Sequence, residues 1–268
     1  MYVTFIKAIR DSRMTILWLC IGLGLYALFV GAFFPSIAEQ GEELNEVYDS
    51  MPDEMMSLFG AEDGFDLTDP VTFLNVEFLT WAILIIGAIV MLQAFNAVTN
   101  AERNGTMDVM MSLPISRRDM LVGRFLNSVA TLVIVFGVSF GVLLLDTKIW
   151  PVFDIGVGDL LGIMINGILL LLAYTAFTYF LVTVVASSKK WAGIVAYVAF
   201  FGAYFLHGLL GASDALAELR PLLLFDYFNA PTIARDGLDI VNLVVLLAVA
   251  VIFGGLAWWR IDEKELGV

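Results

Sequence analysis

Apolar residues in this chain gather into six long runs separated by polar segments. The runs cover about Met14–Phe34, Phe73–Val98, Phe125–Leu145, Leu160–Ala186, Trp191–Leu210 and Val241–Trp259. Roughly 20 apolar residues cross a bilayer core, and each run meets that length. Helices are required because lipid offers the backbone polar groups no partner. A transmembrane barrel would need short strands of alternating polarity, and these runs do not alternate. The pattern predicts an all-α integral membrane protein with six transmembrane helices. No internal repeat, low-complexity tract or soluble module breaks it, so residues 1–268 read as one membrane domain.

Ahead of the first run, residues 1–13 carry their own pattern. Tyr2, Phe5, Ile6 and Ile9 fall on one helical face, and Lys7, Arg10, Asp11 and Arg13 mostly on the other. A basic amphipathic helix of this kind suits the inner membrane interface. Lys7, Arg10 and Arg13 before an apolar run also resemble a signal peptide. The run is longer than a usual signal core, however, and no small-residue cleavage site comes after it. It is read as a retained span. Composition agrees with membrane insertion: the chain is 60% hydrophobic, with a mean hydropathy of +0.89. Its one cysteine, Cys20, lies inside the first run, which excludes an intramolecular disulfide.

Charge orients the spans. With six crossings, one side of the membrane holds Lys7, Arg10, Arg13, Arg103, Arg117, Arg118, Arg124, Lys189, Lys190, Arg260 and Lys264. The other side holds only Lys148, Arg220 and Arg235. Basic residues near span ends stay inside, so both termini are expected in the cytoplasm of a multi-pass plasma-membrane protein. The outer loop, roughly Pro35 to Thr72, carries Glu39, Glu42, Glu43, Glu46, Asp49, Asp53, Glu54, Glu62, Asp63, Asp66 and Asp69 and no basic residue. Its apolar spacing (Leu44, Val47, Met51, then Met55, Met56, Phe59) suggests a small helical cap over the outer surface. Either the loop is a cation-attracting vestibule or it is a solvated acidic face suited to high salt. A net charge of −13 and a sequence pI of about 4.3 resemble the proteins of a salt-adapted archaeon, a halophile. Acidic surface governs solubility, not fold.

Chemistry is mostly absent. No G-x-x-x-x-G-K-[ST] loop occurs, so ATP is not expected to bind here through a P-loop. One histidine, His207, and no paired metal-ligand motif argue against a zinc membrane protease. Nor does a nucleophile signature accompany His207. It is expected near the outer end of the fifth span as a hydrogen-bonded interface residue. Polar groups inside the runs are few: Glu77 near the outer end of the second, Gln93 and Asn96 near its inner end, and Asn166 in the fourth. Such residues either pack helices together or line a translocation path. Gln93 and Asn96, three apart, share a face.

The longest inner polar segment runs from Thr99 to Val122. Gly105-Thr106 allows a bend and a new N-cap. Met107, Val109, Met110, Met111 and Leu113 form an apolar group suited to a partner groove. Pro114 halts the helix, and Ser116 can cap the next one near Arg117-Arg118-Asp119. A short amphipathic helix here would pass a partner's push to the spans on both sides.

Glu102-Arg-Asn-Gly-Thr-Met-Asp-Val-Met-Met-Ser-Leu-Pro-Ile-Ser-Arg-Arg-Asp-Met-Leu-Val-Gly-Arg124 resembles the signature of the ABC type-2 permeases. The matching positions are Glu102, Gly105, Thr106, Asp108, Pro114, Ser116, Arg117, Gly123 and Arg124, with Met110 and Met111 in place of the usual leucines. The likeness extends to an amphipathic first helix, six spans, Asp226-Tyr-Phe-Asn-Ala-Pro231, and a tail Trp259-Arg-Ile-Asp262 in which Ile261 replaces an arginine. The resemblance implies the transmembrane subunit of an ABC transporter, an exporter, not itself an enzyme. It also implies pairing with a second permease copy and with a separate ATPase subunit that carries ATP and Mg. The 99–122 segment would be the coupling helix. Glu102 and Arg117, with Arg118 beside them, would couple, and Gly105, Thr106, Asp108, Pro114 and Ser116 would set the geometry. No cofactor, metal or nucleic acid is expected on this chain. The competing readings are a gradient-driven secondary transporter or channel, in which Glu77 or the acidic loop would act, and a membrane-embedded enzyme, against which the lone His207 speaks.

Overall fold

A computed structural model describes residues 2–41, 66–103, 116–185, 191–211 and 214–262. Its helices are α1 (Tyr2–Glu39), α2 (Pro70–Leu74), α3 (Thr80–Arg103), α4 (Arg117–Ile149), α5 (Val157–Val184), α6 (Trp191–Gly211), α7 (Ala230–Asp236) and α8 (Ile240–Arg260). A π-helical turn, Asn75–Leu79, joins α2 to α3, and 3-10 turns at Asp214–Leu222 and Leu224–Tyr227 lie between α6 and α7. Six helices among the described residues are long and apolar enough to cross a membrane, and none of these residues forms a strand. The all-α, six-span expectation holds.

Element boundaries differ from the sequence reading in informative places. Residues 1–13 were expected as a separate interface helix, yet Tyr2–Glu39 is a single helix. Nothing between Ile9 and Thr15 is glycine or proline, so no residue there favours a break. Likewise, the outer loop was expected to open at Pro35, but α1 continues through Pro35 to Glu39. A proline removes one intrahelical hydrogen bond, and here it does so only one turn before the helix ends. The second span begins before Phe73. Asp69 caps it by accepting from Thr72 N at 2.7 Å and Thr72 Oγ1 at 2.8 Å, and Pro70 opens the first turn. The helical cap read at 44–59 lies outside the described residues, as does the turn at 187–190.

Two helix pairs organise the bundle. α1 and α4 run parallel, and α5 packs along α8. In the first pair the Thr4 hydroxyl donates to the Asp119 carbonyl at 2.9 Å, and the Ser12 hydroxyl donates to Asn127 Oδ1 at 2.9 Å. Further along, a Cβ on Gly31 would fall 2.5 Å from Asp146 Cγ. Lipid is as apolar as leucine, so close packing of small residues, not burial from water, holds membrane helices together. In the second pair Ala173 and Ala176 meet Ala250, and the Phe253 ring packs on Phe177 and Phe180 at 5.0 and 5.4 Å. α3 and α5 sit nearest the centre, where Tyr174, Phe200 and Phe225 form an edge-on and tilted aromatic cluster. Phe225 comes from the Leu224–Tyr227 turn, so the chain from Leu224 to Phe228 folds back onto the core, while Pro221 and Leu222 stay exposed.

Candidate functional site

Thr4, Arg118 and Asp262 mark one end of the bundle, where the start of α1, the start of α4 and the end of α8 meet. We call it the basic end. The 99–122 segment enters and leaves it. α3 carries the chain through Glu102 to Arg103 as continuous helix. At the far side Ser116 takes an extended backbone (φ −72°, ψ 153°) and accepts from Asp119 N at 3.0 Å, while its hydroxyl donates to Asp119 Oδ2 at 2.8 Å. This reciprocal cap is worth about 0.5–2 kcal/mol and places Arg117 as the first residue of α4. Gly105, Thr106, Asp108 and Pro114 lie outside the described residues.

Arg118 is clasped from the other end of the chain. Its Nε stands 2.8 Å from Asp262 Oδ2, and its guanidinium lies 4.1 Å over the Trp258 ring. Both charged groups are partly exposed (40% and 48%), so the pair contributes only about 0–1 kcal/mol, and the ring contact adds about 0.5–1 kcal/mol. The clasp matters more for geometry: it joins the start of α4 to the end of α8.

Behind this rim is an open cavity of about 390 Å³. Asp11, Ser12 and Thr15 line it from α1, and Gln93 and Asn96 from α3. Arg124 and Asn127 come from α4, and Tyr179 closes it from α5. Gln93 and Asn96 therefore share one wall. Gln93 Oε1 lies 3.4 Å from Thr131 Oγ1, whose proton has the Asn127 carbonyl closer at 2.9 Å, and the buried Gln93 Nε2 has no hydrogen-bond partner among the described residues. Tyr179 is buried, with its hydroxyl 3.2 Å from Ser128 Oγ and its ring edge-on to Phe125.

Glu77 and Asn166 are elsewhere. Glu77 lies in the π-helical turn, where its carbonyl accepts from the Tyr26 hydroxyl. Such turns are insertions within an α-helix that often mark functional positions. Asn166 is buried in α5, with neither amide atom hydrogen-bonded among the described residues. The structure thus separates the four intramembrane polar residues: one pair shares a cavity and two stand alone. His207 Nδ1 is 3.9 Å from Asp226 Oδ1, beyond hydrogen-bond range, while Arg220 Nε donates to Asp226 at 3.1 Å. His207 lies in the last turns of α6, as the sequence reading placed it. Cys20 is half-buried against the main core.

Two sets of residues escaped the sequence reading. Asp146 falls just past the third apolar run, Phe125–Leu145, yet it lies inside α4, fully buried against Gly31, and neither carboxylate oxygen is hydrogen-bonded among the described residues. The cavity residues Ser12, Thr15, Asn127 and Tyr179 went unnoticed too. A signal existed: Asp11 and Thr15, Gln93 and Asn96, and Arg124 and Asn127 repeat three or four apart, the spacing of one helical face.

Comparison with curated proteins returns no match. The family comparison does: a model described as ABC-2 family transporter protein matches residues 4–266. Six apolar helices over that same span make the chain a multi-pass permease component, and it belongs to the ABC-2 transporter family.

Proposed function

We propose that this chain is the transmembrane subunit of an exporter, paired with a second permease copy and driven by a separate ATPase that holds ATP and Mg. The basic end faces the cytoplasm in this reading, and the 99–122 segment docks the ATPase. The supporting observation is continuity. Helix reaches one edge of the segment at Arg103, and a capped helix begins at its other edge at Arg117. A displacement applied between them acts directly on two membrane-crossing helices. Glu102 and Arg117 carry the charge contacts with the ATPase. Gly105, Thr106, Asp108, Pro114 and Ser116 shape the segment, and Arg118 ties it to α8. Outward movement is inferred from the resemblance to type-2 permeases.

The test is a mild-detergent pull-down in high salt, with partners identified by mass and assayed for ATP hydrolysis. Wild type is expected to bring down a P-loop ATPase in stoichiometric amount. Loss of a buried charged interface contact commonly costs about 2–5 kcal/mol, so Glu102→Ala and Arg117→Glu should weaken retention of the ATPase by roughly tenfold or more. Both variants should still reach the membrane. A clean assembly of this chain without an ATPase, or full ATP-driven transport in both variants, would overturn the coupling role and favour a gradient-driven carrier.

A further inference from the structure

We infer that the cavity behind the basic rim is a headgroup site for a glycerophospholipid, with Arg124 and the surrounding amides holding the phosphodiester.

Depth is the first argument. Asp11, Ser12 and Thr15 bracket the start of the first apolar run, Asn96 stands two residues before the end of the second, and Arg124 and Asn127 bracket the start of the third. All three boundaries meet in one cavity. That level is the polar–apolar boundary of a bilayer, where lipid phosphates lie.

The polar groups have unmet demand of one kind. The Arg124 guanidinium makes no direct hydrogen bond or ion pair within the chain among the described residues; Tyr179 and Asp11 attract it only across the 390 Å³ space that all three line. Asn127 Oδ1 lies 2.9 Å from the Ser12 hydroxyl, which has the Ala8 carbonyl at the same distance, and the Asn127 NH2 adds a donor to the same wall. Gln93 keeps a buried NH2 with no hydrogen-bond partner among the described residues. Arginine with converging amide donors is the chemistry that binds a phosphate. Asp11 lines the same space and offsets part of the positive charge. That balance disfavours a free dianionic phosphate and suits the single charge of a phosphodiester.

An apolar track leads away from the cavity. Ile89 and Leu92 line it, and Leu92 and Ile85, two turns apart on α3, are both exposed along the apolar span. Acyl chains can lie there while the headgroup occupies the polar part.

The experiment is native mass spectrometry on the full chain with whatever subunit co-purifies, after delipidation. Three probes are titrated: phosphatidylglycerol, diacylglycerol with the same acyl chains, and inorganic phosphate. One phosphatidylglycerol adduct should saturate at a concentration roughly tenfold or more below that for diacylglycerol, and inorganic phosphate should not displace it. Arg124→Gln removes the charge, and Ala8→Trp fills the space without touching it. Each should raise the half-saturation concentration by about tenfold. Equal binding of diacylglycerol by wild type overturns the inference without need of any variant. Displacement by inorganic phosphate at equal concentration reassigns the cavity to a soluble anion and overturns the lipid. Unchanged binding in both variants places the lipid elsewhere on the bundle and overturns the site.

Discussion

α5 and α8 pack against each other, yet they live in different surroundings. Their most apolar stretches have similar hydropathy, 2.1 and 2.7, but 67% of one and 17% of the other is buried by protein. α5 is enclosed, and it carries the polar atoms: Asn166, Thr175, Thr178 and Thr183 are buried in it. Thr175 and Thr178 return their hydroxyls to the carbonyls four residues back, at 2.6 and 2.8 Å, which settles their donors without a partner helix. α8 instead shows Val241, Val244, Leu247, Val251 and Ile252 to the outside and meets α5 through Ala250 and Phe253. Hydropathy records only that a helix can enter lipid. What decides whether lipid or protein surrounds it is the placing of small and polar residues on its face.

The difference can be broken at its contact. Ala176→Leu forces a larger side chain into the fully buried α5–α8 seam and is expected to cost about 1–3 kcal/mol. It should appear as a lower thermal midpoint in detergent. A comparable loss is expected at the other helix pair from Gly123→Ala. The new Cβ would sit 2.2 Å from Thr4 Oγ1 and 2.9 Å from the Phe5 backbone nitrogen, and the backbone cannot swing away as a flexible side chain can. About 1–3 kcal/mol is again expected, read as faster proteolysis at the start of α1. The smallest effect belongs to the exposed face: Val251→Leu should shift stability by less than about 0.5 kcal/mol. If it matched Ala176→Leu in thermal unfolding, the contrast between the two helices would fail, and the outer face of α8 would have to be a packed surface.

Much of this architecture was legible in the order of residues. Run length alone revealed six spans, because the bilayer sets a minimum that few soluble helices reach. Ser116 and Asp119 announced the start of α4 through their spacing. Pro35 misled, since a proline forfeits one bond to the turn before it and the residues that follow can still close theirs. The cavity could not be assembled from the chain order, because its polar residues come from four helices whose rotations depend on their neighbours. Gln93 and Asn96 showed a shared face but not what faced them. Asp146 was invisible for another reason: it borders an apolar run, where a charge reads as the end of a span, and only the missing side chain of Gly31 makes room for it inside.

Thr4 with Asp119, Ser12 with Asn127, and Gly31 with Asp146 are each separated by the same 115 positions. A constant offset means that α1 and α4 do not drift past one another over 27 residues, about 40 Å at roughly 1.5 Å per residue. Two helices matched over that length behave mechanically as a single beam, stiffer than either alone. Tilting one without the other would break contacts at both extremities at once. A displacement applied at Arg117 would therefore reach the first span as well as the third.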